Sequence, residues 1–254
     1  MPITLPDARL PDGLRVYAIG DVHGERDAAA QILDRITADL ACRPTDDWRE
    51  VWLGDLIDRG PDSAGVMDLA NREADRARRT VLLGNHDAFL RDFLAHAEIR
   101  TLSFWLDNGG VQACLSWGLD AQLLEPCRTR QRAADFRDRL AAAITPAQHA
   151  LLAGMPTRLV LGDFAFVHAG IRPGVPFADQ HEDDLIWIRH EFLYHPGPHD
   201  HVVVHGHTPR PEIEVMPQRI GIDTGCGKGG TLSCVVIENG LVAALEKDGP
   251  VPLL

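Results

Sequence analysis

Five short apolar runs in this chain are each followed by a segment of glycine and polar residues, and this arrangement constrains the fold most strongly. The runs are Ala18-Ile19, Val51–Leu53, Val81–Leu83, Phe164–Val167 and Val202–Val204. Short runs of β-branched and apolar residues are typical of buried strands, and the residues beyond the ends of parallel strands lie at one edge of the sheet. The glycines allow sharp turns and close approach of the backbone to a ligand. The sequence therefore predicts one sheet edge that gathers these polar residues.

The order of predicted elements indicates an α/β fold. Strands and helices alternate from Arg15 to Leu83, which favours parallel strands with helices packed on them. The predicted elements there are a strand at Arg15–Ile19, a helix from about Asp27 to Leu40, a strand at Val51–Leu53, a helix that follows the start signal Gly60–Ser63 and runs to about Arg78, and a strand at Thr80–Leu83. A helical insert is predicted for about 88–152, and strands follow it. We expect residues 1–254 to form a single domain with this insert.

Composition excludes several classes of partner. The 254 residues contain 25 Lys and Arg against 37 Asp and Glu, a net charge of -12 that argues against nonspecific nucleic-acid binding. No apolar stretch reaches the roughly 18 residues of a membrane span, and the N-terminus lacks an apolar signal core. The five cysteines are an odd number without a CxxC pair, which fits a reducing compartment. We expect a cytoplasmic protein without nucleic-acid or membrane partners, and the sequence predicts no oligomeric state.

The residues gathered at the predicted edge are those that bind divalent ions. They are Asp21, His23, Asp55, Asn85, His168 and His207. Carboxylate, amide and imidazole groups suit manganese, iron, zinc or magnesium. If two ions share one carboxylate, Asp55 is the natural bridge, with Asp21 and His23 on one ion and the other three ligands on the second.

Each of these residues has an ordinary structural explanation when it is taken alone. An Asp after a glycine usually caps a helix or forms a turn, and a buried His is more often a hydrogen-bonded core residue than a ligand. Their joint occurrence, in order and at the ends of predicted strands, favours a metal centre. His205 is not expected to be a ligand, and Lys228, in the glycine-rich segment Gly225–Gly230, is a minor candidate for substrate contact.

The five segments resemble those of a known family. They are similar to motifs of the phosphoprotein phosphatase branch of the calcineurin-like metallophosphoesterases. The similar segments are GDVHG, GDLIDRG, GNHD, FVHAGI and VVHGHTP. Leu185–Arg189 and Gly221–Gly225 resemble the small bacterial and bacteriophage lambda-type Ser/Thr protein phosphatases. The resemblance implies a central β-sandwich of two mixed sheets flanked by helices, in αββα layers, with a helical insert.

The resemblance also implies a role for each matching residue. Asp21, His23, Asp55, Asn85, His168 and His207 match the metal ligands of the family. His86 matches the proton donor, Asp58 the carboxylate that orients it, and Arg59 and Arg189 the arginines that hold phosphate oxygens. The implied cofactor is a pair of divalent ions, manganese first, with iron, zinc or magnesium as alternatives. Such a pair can hold a bridging hydroxide for in-line attack on phosphorus.

Three functions follow from these expectations. The leading one is a phosphomonoesterase acting on phosphoserine and phosphothreonine, extended to phosphotyrosine, with a phosphoprotein or small phosphoester as substrate. The alternative is a hydrolase of bis(5'-nucleosyl) tetraphosphates; the symmetrical enzymes of that type lack the Asp of DRG, which is present here as Asp58. Leu83 favours the alternative, because many family members have Arg at that position. An inactive binding scaffold predicts gaps among the ligands or in the His86–Asp58 pair, and the sequence has none.

Overall fold

The first of two sheets is built around the N-terminal strands. The computed structural model describes residues 2–120, 122, 124 and 130–253, without the side chains of 130 and 131. The strands of this sheet are β1 (Arg15–Ile19), β2 (Trp48–Trp52), β3 (Arg79–Val81), β9 (Cys234–Glu238), β10 (Leu241–Glu246) and β11 (Gly249–Pro252). Their order is β11-β10-β9-β1-β2-β3. The first three are parallel to one another, and the last three join them in antiparallel pairs.

The second sheet collects the strands that follow the helical insert. These are β4 (Arg158–Leu161), β5 (Phe164–Val167), β6 (Val202–His205), β7 (Glu214–Met216) and β8 (Arg219–Gly221), in the order β4-β5-β6-β8-β7. β5, β6 and β8 are parallel, and β4 and β7 are antiparallel at the two edges. Both sheets are therefore mixed, as the family resemblance implied.

Alternating side chains along the strands divide the core into two layers. In β1, Val16 and Ala18 point to an inner cluster while Tyr17 and Ile19 point to an outer one. The inner cluster also contains Phe166 and Val204 of the second sheet, so the two sheets pack face to face. A fully buried side chain of this size contributes roughly 1.5–3 kcal/mol. The outer layer packs against helices, which confirms the predicted sandwich.

Two helices cover the outer face of the first sheet. α1 (Arg26–Cys42) buries Ile32 and Ile36. α2 (Ser63–Ala70) is capped by the preceding residue Asp62, whose side chain accepts a hydrogen bond from Gly65 N at 2.8 Å.

The prediction that the second helix continues to Arg78 is wrong, since it ends at Ala70. The cause is a buried carboxylate on β2. Glu50 is 0% exposed and binds Arg72 at 2.8 Å and Arg79 at 2.7 Å. A buried carboxylate is unfavourable unless it is paired. The chain leaves the helix to bring both arginines to it, through Asp75 in the left-handed conformation with φ of 58°.

The predicted insert is helical over most of its described part. Its helices are α3 (Asn85–His96), α4 (Ile99–Trp105), α5 (Val111–Ser116), α6 (Arg130–Ala143) and α7 (Pro146–Gly154), and α8 (Glu182–Trp187) and α9 (His190–Leu193) follow later. Residues 121, 123 and 125–129 of this prediction lie outside the described residues. Within the part of the chain that the structure describes, every helix falls short of the length and hydropathy of a membrane span. The assignment of 1–254 to a single domain stays a prediction.

Candidate metal centre

The parallel strands of both sheets end at a common edge, and the predicted ligands follow them. Asp21 and His23 follow β1, Asp55 follows β2, Asn85 follows β3, His168 follows β5 and His207 follows β6, and all are buried. Hydrogen bonds join the two sheets here. The His207 backbone N–H donates to the Asp21 carboxylate at 3.1 Å, and the His168 ring contacts Leu53 O at 2.8 Å. The structure therefore brings the six residues together.

Asp55 lies between two groups of histidines. Its Oδ2 is 3.5 Å from His23 Nε2, and its Oδ1 is 3.4 Å from His168 Nε2. Donor atoms of His23, Asp55 and His86 lie within 4.8 Å of one another, as do those of Asp55, His168 and His207. Because Asp55 belongs to both groups, the geometry supports it as a ligand shared by two ions.

The histidines are held in the form that binds metals. His23 Nδ1 lies 3.0 Å from Ile57 O and His168 Nδ1 lies 2.8 Å from Leu53 O, so each Nδ1 donates its proton to a carbonyl. Each Nε2 then carries the lone pair, and it lies within 3.5 Å of an Asp55 oxygen. Burial lowers the pKa of His23 to about 3 and that of His207 to about 2, which keeps both rings neutral at pH 7. Neutral rings fixed through the other nitrogen are typical of metal ligands.

The electrostatics of the carboxylates also fit a cation. Burial, together with the negative charges of Asp223 and Asp55, raises the pKa of Asp21 well above its usual range. Burial also raises the pKa of Asp55, but the surrounding histidines, His168 foremost, hold it well below the usual range. Neighbouring buried carboxylates are costly without a positive charge among them, and a divalent ion supplies that charge. The donor set therefore fits divalent metals, although Asp21 belongs to neither of the two compact groups.

Two arginines border the ligand cluster at opposite ends. The Arg59 guanidinium contacts His23 Nε2 and lies 2.9 Å from His86 Nε2. Arg189 Nε lies 2.9 Å from His207 Nε2. Burial of Lys228, and then the positive charge of Arg59, lower the pKa of the Lys228 ammonium group. Guanidinium groups bind phosphoryl oxygens in pairs of hydrogen bonds, so the placement of both arginines suits the predicted phosphate contact.

His86 belongs to a chain of buried hydrogen bonds. Its Nδ1 donates to Asp58 Oδ2 at 2.6 Å. Trp105 Nε1 donates to both oxygens of Asp58, at 2.9 and 3.0 Å, and the Asp58 backbone N–H donates to Ser63 Oγ at 2.9 Å. Burial raises the pKa of the Asp58 carboxyl, and the hydrogen bonds from His86 and Trp105 oppose that rise. The carboxylate thus fixes the ring orientation, and Trp105 fixes the carboxylate.

Strained backbone is concentrated at this edge. Five residues there have positive φ values: His23 (48°), Asp55 (50°), Asp58 (76°), Arg59 (68°) and His207 (65°). Each such left-handed residue costs roughly 1–3 kcal/mol and persists only where the surrounding structure enforces it. Such strain clusters at functional sites, which adds independent support to this one.

A break in the helical insert supports one of these strained residues. Between α4 and α5 the helix is interrupted at Asn108 and Gly109, where Gly109 has φ of 111°. Gly109 O accepts a hydrogen bond from Arg59 N at 3.1 Å. A Cβ at Gly109 would lie 2.8 Å from Arg59 N, so only glycine allows this approach. The insert thus positions Arg59 as well as Asp58.

Sequence reasoning missed the contributions of Trp105 and Asp223. Trp105 is fully buried in the insert, and Asp223 lies beyond β8, at the same edge as the predicted ligands. Two sequence signals could have pointed to them: the helix-breaking segment Asn108-Gly109-Gly110, shortly after Trp105, and the segment Gly221–Gly225, which contains Asp223.

Two positions near the ligands differ from the common family pattern. Leu83 is 1% exposed and belongs to the outer core, so no phosphate contact comes from it. Asp87 accepts hydrogen bonds from Leu56 N and Gly84 N, both at 3.1 Å. The Asp87 side chain thus links the loop after β2, which contains Asp55, to the start of α3, which contains Asn85.

Part of this chain is similar in sequence to known phosphoester hydrolases. A symmetrical bis(5'-nucleosyl)-tetraphosphatase of Acidovorax sp. (strain JS42) is 40% identical over 77 residues, which are 30% of this chain and 25% of the relative. Serine/threonine-protein phosphatase 1 of Salmonella typhimurium is 35% identical over 97 residues, 37% of this chain and 38% of the relative. The matched segments therefore span about a quarter to two fifths of these relatives.

A solved structure and a family model extend the comparison over the whole fold. The crystal structure of a protein provisionally named diadenosine tetraphosphatase superposes with a TM-score of 0.61 at 24% identity, covering 96% of each chain. The model of the calcineurin-like phosphoesterase family matches residues 14–237. That range contains every predicted ligand, and the chain belongs to the calcineurin-like phosphoesterases.

Proposed function

We propose that this protein is a metal-dependent phosphomonoester hydrolase acting on phosphoserine and phosphothreonine, with His86 as general acid. The observation that carries the proposal is the chain of hydrogen bonds from Trp105 through Asp58 to His86 beside the ligand cluster. A phosphomonoester with an alkoxide leaving group needs a proton donor, and an oriented histidine is suited to that task. A cytoplasmic location fits this activity.

Each residue at the edge has a part in the reaction. Two divalent ions, with manganese as the first choice of metal, would be held by six residues: Asp21, His23, Asp55, Asn85, His168 and His207. When bound, such ions supply an activated water molecule and positive charge for the phosphoryl oxygens.

The remaining residues bind the substrate and transfer a proton. Arg59 and Arg189 bind the phosphoryl oxygens from two sides. His86 donates its Nε2 proton to the leaving oxygen, while Asp58 holds Nδ1. Because Arg59 lies 2.9 Å from His86 Nε2, the proton donor and a phosphate ligand would border the same phosphate group.

Hydrolysis of dinucleoside polyphosphates is the second candidate. Leu83 favours it, since a core leucine replaces the arginine common among phosphoprotein phosphatases. The name of the Acidovorax relative favours it as well.

A direct comparison of substrates separates the two candidates. Turnover of a phosphoserine peptide and of diadenosine tetraphosphate should be measured under identical manganese concentrations. We expect a higher kcat/KM for the peptide, because the Asp58–His86 pair serves an alkoxide leaving group. Equal or better use of the dinucleotide would overturn the ranking.

A further inference from the structure

Three aromatic side chains form a half-exposed surface beside the candidate metal centre. We call Phe89, Phe104 and Trp187 the aromatic wall. Phe89 lies between the other two, with ring centroids 5.2 Å away from each and interplanar angles of 60°. Phe104 is 53% exposed and Trp187 is 38% exposed, whereas Phe89 is partly buried against the core. Single exposed apolar residues are common, but three that converge are a candidate binding surface.

The wall is continuous with the site at both ends. Phe89 follows His86 by three residues on α3, so both lie on one face of the helix. Their rings contact edge to face with centroids 5.8 Å apart. At the other end, the Trp187 ring contacts His207 with centroids 6.0 Å apart at 88°. The wall therefore extends from the proton donor to a predicted metal ligand.

The position of His86 decides which part of a substrate meets the wall. A general acid must lie within hydrogen-bond distance of the leaving oxygen. The group attached to that oxygen consequently lies next to His86, and Phe89 is an apolar aromatic neighbour of His86. A serine or threonine side chain offers little apolar surface there, whereas a phenyl ring fits the edge-to-face geometry that aromatic pairs prefer.

From this geometry we infer that the aromatic wall is a leaving-group subsite for the ring of an aryl phosphate, phosphotyrosine being the protein-borne example. The inference rests on the proposed function and extends its substrate class. In the reaction, the oxygen of water forms the new bond to phosphorus and the bond to the phenolic oxygen breaks. The phenolic oxygen takes the proton from His86, the attacking water gives up one of its protons to solvent, and His86 regains a proton from solvent after the phenol and inorganic phosphate leave.

The test compares two substrates across wall variants. Peptides of one sequence, carrying phosphotyrosine or phosphoserine, are assayed with manganese on wild type, on Phe104→Leu and on the double variant Phe89→Leu/Phe104→Leu. The ratio of the two kcat/KM values removes the intrinsic difference in leaving-group reactivity when variants are compared with wild type. Tyr194→Leu is the matched control, because Tyr194 is 69% exposed and its ring stacks on His190. Thermal unfolding and manganese content of every variant verify the fold and the site.

We expect the phosphotyrosine to phosphoserine ratio to fall about threefold in Phe104→Leu and about tenfold in the double variant, the range of aromatic pair contributions. Tyr194→Leu should leave the ratio unchanged. A ratio unchanged in the wall variants, with phosphoserine still hydrolysed, overturns the subsite and leaves the proposed function standing. Diadenosine tetraphosphate is assayed on the same variants. If they impair its hydrolysis and spare that of phosphotyrosine, the wall binds a nucleobase, and the subsite for an aryl phosphate is overturned. Failure of wild type to hydrolyse either peptide overturns the proposed function itself.

Discussion

Replacing Trp105 by Phe tests whether the helical insert takes part in catalysis. Phe keeps most of the ring in this fully buried position and removes one donor, the indole N–H bound to both oxygens of Asp58 at 2.9 and 3.0 Å. A hydrogen bond to a charged group contributes about 1.5–3 kcal/mol. If that loss appears in the transition state, kcat falls roughly 10- to 150-fold, since each 1.36 kcal/mol is a factor of ten.

The pH profile should change as well as the rate. Burial already raises the pKa of Asp58, and the Trp105 N–H is one of the groups that oppose the rise. Without it the pKa of Asp58 rises further. Because Asp58 must be ionised to hold His86, the acid limb of kcat/KM moves to higher pH.

The assay is manganese-dependent hydrolysis of an aryl phosphate over a range of pH. Trp117→Phe is the matched control: it also removes an indole N–H from the insert, one that donates to the neutral Gln148 Oε1 at 3.1 Å. We expect the control to keep both kcat and the acid limb of wild type. A Trp105→Phe enzyme with kcat within twofold of wild type and an unmoved acid limb would refute the reasoning.

Three further variants test other parts of the account. His86→Asn should lower kcat roughly 10²- to 10⁴-fold while manganese content stays normal, and loss of metal would mean that His86 is a ligand. Gly206→Ala should reduce metal content, because the added Cβ would lie 2.0 Å from Asp21 Oδ1; full occupancy with normal turnover would contradict this. Asp39→Asn should destabilise the fold at pH 7 by roughly 3 kcal/mol in urea unfolding, as expected for a broken buried ion pair. Burial raises the pKa of Asp39, but hydrogen bonds from Arg43 and Tyr17 bring it below its usual value. The stabilisation is therefore present above about pH 4 and disappears as pH falls through the folded-state pKa, so an equal effect at pH 7 and pH 2 would be inconsistent with it.

The strands and the polar residues at their shared edge could be predicted because their signals are local. An apolar run followed by a glycine and an aspartate, as at Ile19 and Asp21, specifies a strand and what lies at its end. The Asn239-Gly240 turn has positive φ at both residues, 48° and 79°, which is the conformation that an Asn-Gly pair favours in a two-residue hairpin turn.

Features that depend on distant partners could not be predicted. Glu50 ends α2 early by binding Arg72, which lies 22 residues away. Trp105 reaches Asp58 across 47 residues, and no periodicity of the insert indicates that contact. The same limit applies to the aromatic wall, whose residues come from three separate helices or their ends. Sequence pattern therefore indicated a metallophosphoesterase, and tertiary structure was needed to find the groups that orient the predicted site residues.

The central claim is that catalysis needs two divalent ions bound around Asp55. The most direct measurement adds manganese back to the metal-depleted protein while bound ions are counted and aryl phosphate hydrolysis is followed. The account predicts activity that rises with the second equivalent and reaches its maximum at two ions per chain. Full activity in the presence of a chelator, or at one bound ion per chain, would contradict it.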